Sequence, residues 1–239
     1  EPLGVYANSR EYENGKGYTI CTVNGVKIAF VAFTKGMDGM ALPGGSQNCV
    51  NVLYKDYATT YQQVDTEGIQ KVLDAAKREK PDLTVALLHW GNEYNGTISS
   101  SQEEICKLMQ ENGVNVILGT HSHTLQHIVF DELKGTLVAY SLGDFYGDGT
   151  ISASYYSILL GLEITKDLDT GYTAITGWNY TPLYTLSPER DGAQMQVLQI
   201  PRALELYENN HISSVSPQTY ENMKAALAQI EKRIQPPEE

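Results

Sequence analysis

Histidine is scarce in this chain, and its placement is uneven. Five of the 239 residues are histidines. His89 closes an apolar run, in Leu87-Leu88-His89-Trp90-Gly91. His121 and His123 follow the next apolar run, in Leu118-Gly119-Thr120-His121-Ser122-His123. Neutral imidazole is the commonest side-chain metal ligand and suits Zn, Fe, Mn or Ni. Two imidazoles one residue apart on a loop can be aimed into one cavity. A single histidine at a strand end is usually satisfied by hydrogen bonds. Three that converge on one sheet edge read better as a ligand set. Taken alone they would suit a mononuclear zinc hydrolase, with Glu93 as its base. Glu93 follows His89 by four residues. It either orients an imidazole, contacts substrate, or is a solvated loop acid.

The other candidates carry less. Trp90 and Tyr94 read as packing and pocket wall. Asp144 either supports the histidines or makes the turn before Phe145. His127 starts a strand and reads as structural, and His211 sits in a polar loop. Gly-x-Ser-x-Gly is absent, no cysteine lies in a nucleophile context, and no P-loop occurs, so serine, cysteine and NTPase chemistries have no support.

Positioning three imidazoles together requires strands that end side by side. Residues 18–23 and 26–33 read as strands joined by Asn24-Gly25, the strongest short hairpin signal. Residues 35–60 are Gly-rich, lack periodicity and read as a long loop. Residues 65–80 read as a helix: Asp65 can cap it, Ile69, Val72, Leu73 and Ala76 recur at helical spacing, and Pro81 follows. Residues 83–88 are a buried strand. Residues 102–112 are a helix with a serine-rich cap and Gly113 at its end. Residues 114–118 are another buried strand. This order predicts a right-handed βαβ unit with a parallel pair. His89, His121 and His123 then share its carboxyl edge, where open α/β sheets place ligands.

Beyond that unit, residues 126–130, 136–140, 155–164 and 172–182 read as mostly antiparallel strands. Residues 201–209 and 217–233 read as helices. Residues 1–17 read as loop, and Pro236 and Pro237 as an end signal.

Composition sets outer bounds. Hydrophobic residues are 41% and charged residues 19%, a globular balance. Twenty-nine acids against 17 bases leave a formal charge of -12, which argues against nucleic acid and anionic lipid as primary partners. It also makes a highly anionic substrate awkward unless a cation reverses the local field. Sixteen tyrosines against four phenylalanines suggest a tyrosine-rich surface and sheet face, or a groove for carbohydrate or peptide. Cys21, Cys49 and Cys106 form no CxxC and no disulfide framework. No apolar run is long enough to span a membrane.

The two histidine blocks resemble those of the CapA family, the poly-gamma-glutamate capsule synthesis proteins. Residues 89–94 match its H-W-G-x-E-Y block. Residues 113–123 match G-x-D-x-[VI]-[IV]-G-x-H-x-H, with Asn115 for the aspartate and Leu118 for the second aliphatic position. Residues 140–145 match Y-S-L-G-N-F, with Asp144 for the asparagine. Residues 25–34 and 200–207 are similar to the family in style. The resemblance implies a metallophosphatase-like α/β sandwich of mixed sheets with flanking helices. It implies residues 1–186 as the C-terminal part of that domain and 187–239 as a helical tail packed on it.

The family in turn resembles calcineurin-like metallophosphoesterases. By motif, His89 and His121 would share one divalent ion (Mn, Fe or Zn), and His123 would bind its neighbour. His121 and Glu93 would then stand nearest the chemistry. The family's Gly-Asp strand end, second Asp and Asn-His pair have no counterpart upstream of Tyr18, and Asp38 and Asn48 lie in no matching context. The chain is therefore expected to be a C-terminal piece, or to receive its other ligands from self-association or from a missing N-terminal half. The resemblance also implies a cell-surface location, an anchor upstream, and an anionic polymer or cell-envelope substrate. A non-catalytic surface module binding such a polymer is the alternative.

Overall fold

A computed structural model describes residues 17–44, 49–147, 151 and 153–235. The loop expected over residues 1–17 falls outside these except for Gly17, as do Asn48 and the terminal prolines. The hairpin forms as expected: β1 (Tyr18–Val23) pairs antiparallel with β2 (Val26–Thr34). Asn24 and Gly25 both take positive φ at the turn. Helix α1 (Thr66–Arg78) is capped by the Asp65 side chain, which accepts from Gly68 N at 3.2 Å. It buries Ile69, Val72 and Leu73, each worth about 1.5–3 kcal/mol when fully buried. Strand β3 (Leu83–His89) follows. Helix α2 (Ser100–Glu111) starts in a Ser99/Gln102 capping box. Strand β4 (Val116–Thr120) completes the unit, and β2, β3 and β4 are parallel neighbours.

The next two strands follow the expected antiparallel pairing and add one parallel pairing to it. Strands β5 (Ile128–Asp131) and β6 (Thr136–Ala139) pair antiparallel with each other, but β6 also joins β4 in parallel. The result is one six-stranded sheet in the order β1-β2-β3-β4-β6-β5. A four-residue strand carries too little pattern to announce its partner. Strands β7 (Tyr156–Lys166) and β8 (Thr173–Leu186) form a long antiparallel ribbon. A short helix, α3 (Pro188–Asp191), leads to β9 (Gln196–Gln199), which pairs with β8. Helices α4 (Ile200–Glu208) and α5 (Pro217–Ile234) end the described chain. The segment from residue 187 thus supplies a strand as well as helices.

The central strands are apolar on both faces, as a covered parallel sheet requires. Ala29, Val31, Ala86, Leu88, Ile117 and Val138 face α1 and α2 in one core. Their alternates Val85, Val116, Leu137 and Ala139 face a second core with β7, β8, β9, α4 and α5. The fold is therefore a layered α/β sandwich with flanking helices, of one mixed six-stranded sheet and one three-stranded sheet that is antiparallel throughout and not mixed as expected. Its sheet edges are fixed in register, and that register places the histidines.

Candidate functional site

Strands β2, β3 and β4 end at the same level. Thr34 is opposite His89, and His89 is opposite Thr120. The loops leaving this carboxyl edge are stitched together by backbone hydrogen bonds. Lys35 N donates to His89 O at 2.7 Å, Trp90 N to Thr120 O at 3.2 Å, and Tyr94 N to Ser122 O at 2.7 Å. The three predicted histidines do lie on this edge. The His89 and His121 ring centroids are 4.3 Å apart, and those of His121 and His123 are 6.5 Å apart.

Two of the three rings have their tautomers set by neighbours. His89 Nδ1 lies 2.9 Å from Thr34 Oγ1. That hydroxyl spends its one proton on the Gly36 carbonyl at 2.9 Å. His89 Nδ1 must then be the donor, which leaves a lone pair on Nε2. His123 Nδ1 lies 2.9 and 3.0 Å from the two Asp144 oxygens. A carboxylate only accepts, so His123 also carries its proton on Nδ1. This is the carboxylate–histidine arrangement that orients metal-binding imidazoles. The other face of the His123 ring is stacked on Tyr94 at 4.9 Å and 14°.

The backbone here is strained. His121 has φ +88° and His123 φ +55°, and Asp38, Tyr61 and Tyr94 on the surrounding loops are also positive. Each non-glycine residue held there costs on the order of 1 kcal/mol, and such outliers gather at functional sites.

Sequence reasoning missed both Thr34, which orients His89, and Lys35, which brings a charge. Lys35 Nζ donates to the Gly91 carbonyl at 2.7 Å and sits 4.8 Å from the Tyr61 ring centroid. Burial pushes its ammonium below the ordinary lysine value, opposed by Glu93. The imidazoles respond in turn. Burial, then neighbouring His89, Lys35 and His123, push His121 down to about 4. Burial, then Lys35, lower His89 as well. Both are thus neutral at pH 7, the form that binds metal. Lys35, Asp38, Tyr61, Asn92, Glu93 and His121 surround a polar cavity of about 270 Å³, with His89 on its rim. Among the described residues Glu93 makes no hydrogen bond to an imidazole; it is a cavity wall beside Lys35. His89 also borders an apolar cavity of about 340 Å³ lined by Ala32, Leu87, Leu118 and Leu142.

Buried polar and aromatic contacts hold the loops. Trp90 is fully buried, stacks on Tyr140 at 5.6 Å, and donates from Nε1 to the Tyr140 carbonyl at 2.8 Å. A Cβ at Gly119 would strike that carbonyl and the indole nitrogen. Gln102 Nε2 donates to Gln126 Oε1 at 2.9 Å, and Gln126 Nε2 donates on to the Asn95 carbonyl at 3.0 Å. Arg233 of α5 donates to the Leu125 carbonyl at 3.2 Å. The Gln102 and Arg233 bonds tie the loop after β4 to α2 and α5, Gln126 links it to the loop after β3, and Trp90 ties that loop to the end of β6.

The donors therefore fit a divalent metal in kind: neutral imidazoles, two of them with Nδ1 engaged. They fall short in number. Among the described residues no group of three or more His, Cys, Asp or Glu side chains is gathered tightly enough to hold an ion. That arrangement speaks against one zinc ion on His89, His121 and His123 together. His127 stacks edge-on with Tyr140 at 5.0 Å, a structural contact. All three cysteines are free.

Fold and site together define a layered α/β chain with a histidine-lined cavity at the carboxyl edge of its parallel strands. Residues 1–149 match the family described as bacterial capsule synthesis protein PGA_cap, and the chain belongs to that family. It is 33% identical over 151 residues to the capsule biosynthesis protein CapA of Bacillus anthracis, covering 61% of this chain and 33% of that protein. It is 28% identical over 176 residues to the PGA biosynthesis protein CapA of Bacillus subtilis strain 168, covering 70% of this chain and 43% of that protein. The chain thus spans well under half the length of these relatives. A solved phosphatase of Mycoplasma pneumoniae aligns with 72% of this chain and 59% of its own, at TM-score 0.45 and 15% identity. A Thermus thermophilus hypothetical protein aligns with 70% of this chain and 61% of its own, at TM-score 0.43 and 15% identity.

Proposed function

We propose that this chain carries part of a metal-dependent phosphoesterase-type hydrolase or transferase site serving capsule or envelope polymer synthesis at the cell surface. The observation that supports this is the His89–His121 pair, 4.3 Å between centroids, with His123 farther off at 6.5 Å from His121. That two-plus-one spacing suits His89 and His121 on one ion and His123 on a second. Bound divalent ions would supply Lewis acidity toward a phosphoryl or acyl oxygen and a more acidic water. The chain's own groups do the rest. Thr34 and Asp144 fix the imidazole tautomers, buried Trp90 anchors the loop after β3 to Tyr140, and Glu93 stands where a proton could be exchanged. The remaining ligands would come from the rest of the family's length or from a second copy. The substrate is an anionic polymer or another envelope component. Among the described residues no helix is long and apolar enough to cross a membrane.

The test is a phosphodiesterase assay on the full-length protein with Mn, Fe or Zn. His121→Ala and His123→Ala should each lower metal-dependent turnover by about 100-fold or more. Activity that survives both metal removal and the substitutions would overturn the proposal.

The shortage of gathered donors favours a second reading, a non-catalytic module that binds an anionic polymer. It is distinguished by polymer binding that persists in His121→Ala without any metal requirement.

A further inference from the structure

Lys35 has no carboxylate within ion-pair distance among the described residues, although the chain carries an excess of acids. It is half removed from water. Its Nζ is steadied by one carbonyl, that of Gly91, and by the face of Tyr61. An ammonium offers three protons, and among the described residues one has a protein acceptor. Glu93 is near enough to oppose the effect of burial on this ammonium but makes no ion pair with it among the described residues, so the remaining protons are left for an acceptor that the cavity can admit.

The surroundings indicate what that is. Lys35, Asn92 and His121 line one polar cavity of about 270 Å³, large enough for a single acidic group and its first neighbours. Asn92 has an amide to donate. The nearby acids, Glu93 and Asp38, lie on the same walls and limit the negative charge that can enter. A site so arranged takes one oxyanion group rather than a dense cluster of them. Its fixed charges are one ammonium and two carboxylates, so the oxyanion would be held by the donors of Lys35 and Asn92 and not by the overall field of the cavity.

We infer that Lys35 is an oxyanion-binding residue of this cavity, engaging one carboxylate or phosphoryl group of the substrate beside His121. This rests on the cavity being the working site, as proposed above, but not on a metal. It gives an acidic chain a means of holding an acidic ligand.

The experiment uses metal-stripped full-length protein and two probes, inorganic phosphate and a short acidic peptide, titrated by NMR with the Lys35, Asn92 and His121 signals followed. At least one probe should bind and shift these signals, and which one identifies the source of the oxyanion. Lys35→Met keeps the stem packed on Tyr61 and should weaken binding by about tenfold or more. Lys35→Arg should stay within about threefold, because the charge and donors remain. Glu93→Gln should strengthen binding by removing repulsion. Folding of each variant is checked by its amide spectrum. Absence of binding by both probes, or binding unchanged in a folded Lys35→Met, would overturn the inference. Because no metal is present, a failed phosphodiesterase assay leaves this result untouched, and the reverse also holds.

Discussion

The two ends of the parallel strands are built by opposite rules. At the amino edge, positive φ falls on Asn24, Gly25, Gly113 and Gly135, which tolerate it, with Lys80 before β3 the exception. Charges there are paired, with Asp82 accepting from Lys166 Nζ at 2.7 Å and from Lys27 N at 2.7 Å. At the carboxyl edge, positive φ falls on His121, His123, Tyr94, Tyr61 and Asp38. There Lys35 lacks a paired carboxylate, and two imidazoles are pressed together. One edge is arranged for stability. The other accepts strain and unpaired charge, as functional sites do.

Glycine substitutions separate the edges most sharply. Gly119→Ala drives a methyl into the Tyr140 carbonyl and Trp90 Nε1, neither of which can yield cheaply. It should cost about 3 kcal/mol or more in urea unfolding. Gly113→Ala meets nothing within 4 Å and suffers only from its φ of +88°. It should cost about 1–2 kcal/mol. Equal losses would erase the distinction.

Next in size is the support of His123. Asp144→Ala should weaken Zn or Mn binding by about 10–100-fold while leaving urea stability within about 1 kcal/mol. Unchanged metal affinity would make Asp144 a turn residue only.

Strain at His121 gives a sign reversal. His121→Gly should be more stable than His121→Ala by about 1 kcal/mol, opposite to the usual order of these residues in regular structure. The same position sets a pH dependence. An unfolded histidine titrates near about 6.5, and His121 is pushed down to about 4. Between these values the unfolded chain binds the extra proton. Stability should therefore fall as pH drops through that window, and His121→Asn should flatten the slope.

The smallest effect belongs to the amino edge. Lys166, foremost, and the Lys27 backbone hold the Asp82 carboxyl below its ordinary value. Its contribution is present above about pH 3.9 and is lost as pH falls through the lowered value. Asp82→Asn should cost up to about 1 kcal/mol at pH 7, and nothing well below that range.

What could be read in advance follows the same division. The unit from β2 to β4 was legible because Asn24-Gly25, the Asp65 cap and the Ile69–Val72–Leu73 spacing all point to one answer. The convergence of His89 and His121 followed from that unit alone. The parallel pairing of β6 and the existence of β9 were not legible, since four-residue strands have no period to read. Lys35 was lost in a glycine-rich loop. Its one signal was its place directly after β2, one residue past Thr34, which is level with His89 across the sheet. Asp144 was noticed as a departure from the family motif, but its contact with His123 crosses between separate loops and has no local trace. The mononuclear alternative is the reading that the geometry speaks against: chain order brought the histidines to one edge without gathering three of them around a point among the described residues.

The central claim is that these imidazoles are neutral metal ligands held with Nε2 open. Long-range 15N–1H NMR of the histidine rings during a Zn titration at pH 7.5 tests it directly. The expected result is Nδ1–H tautomers for His89 and His123 before zinc, and Nε2 shifts at His89 and His121 on its addition. Nε2–H tautomers at both His89 and His123, or zinc that leaves all three rings unchanged, would contradict it.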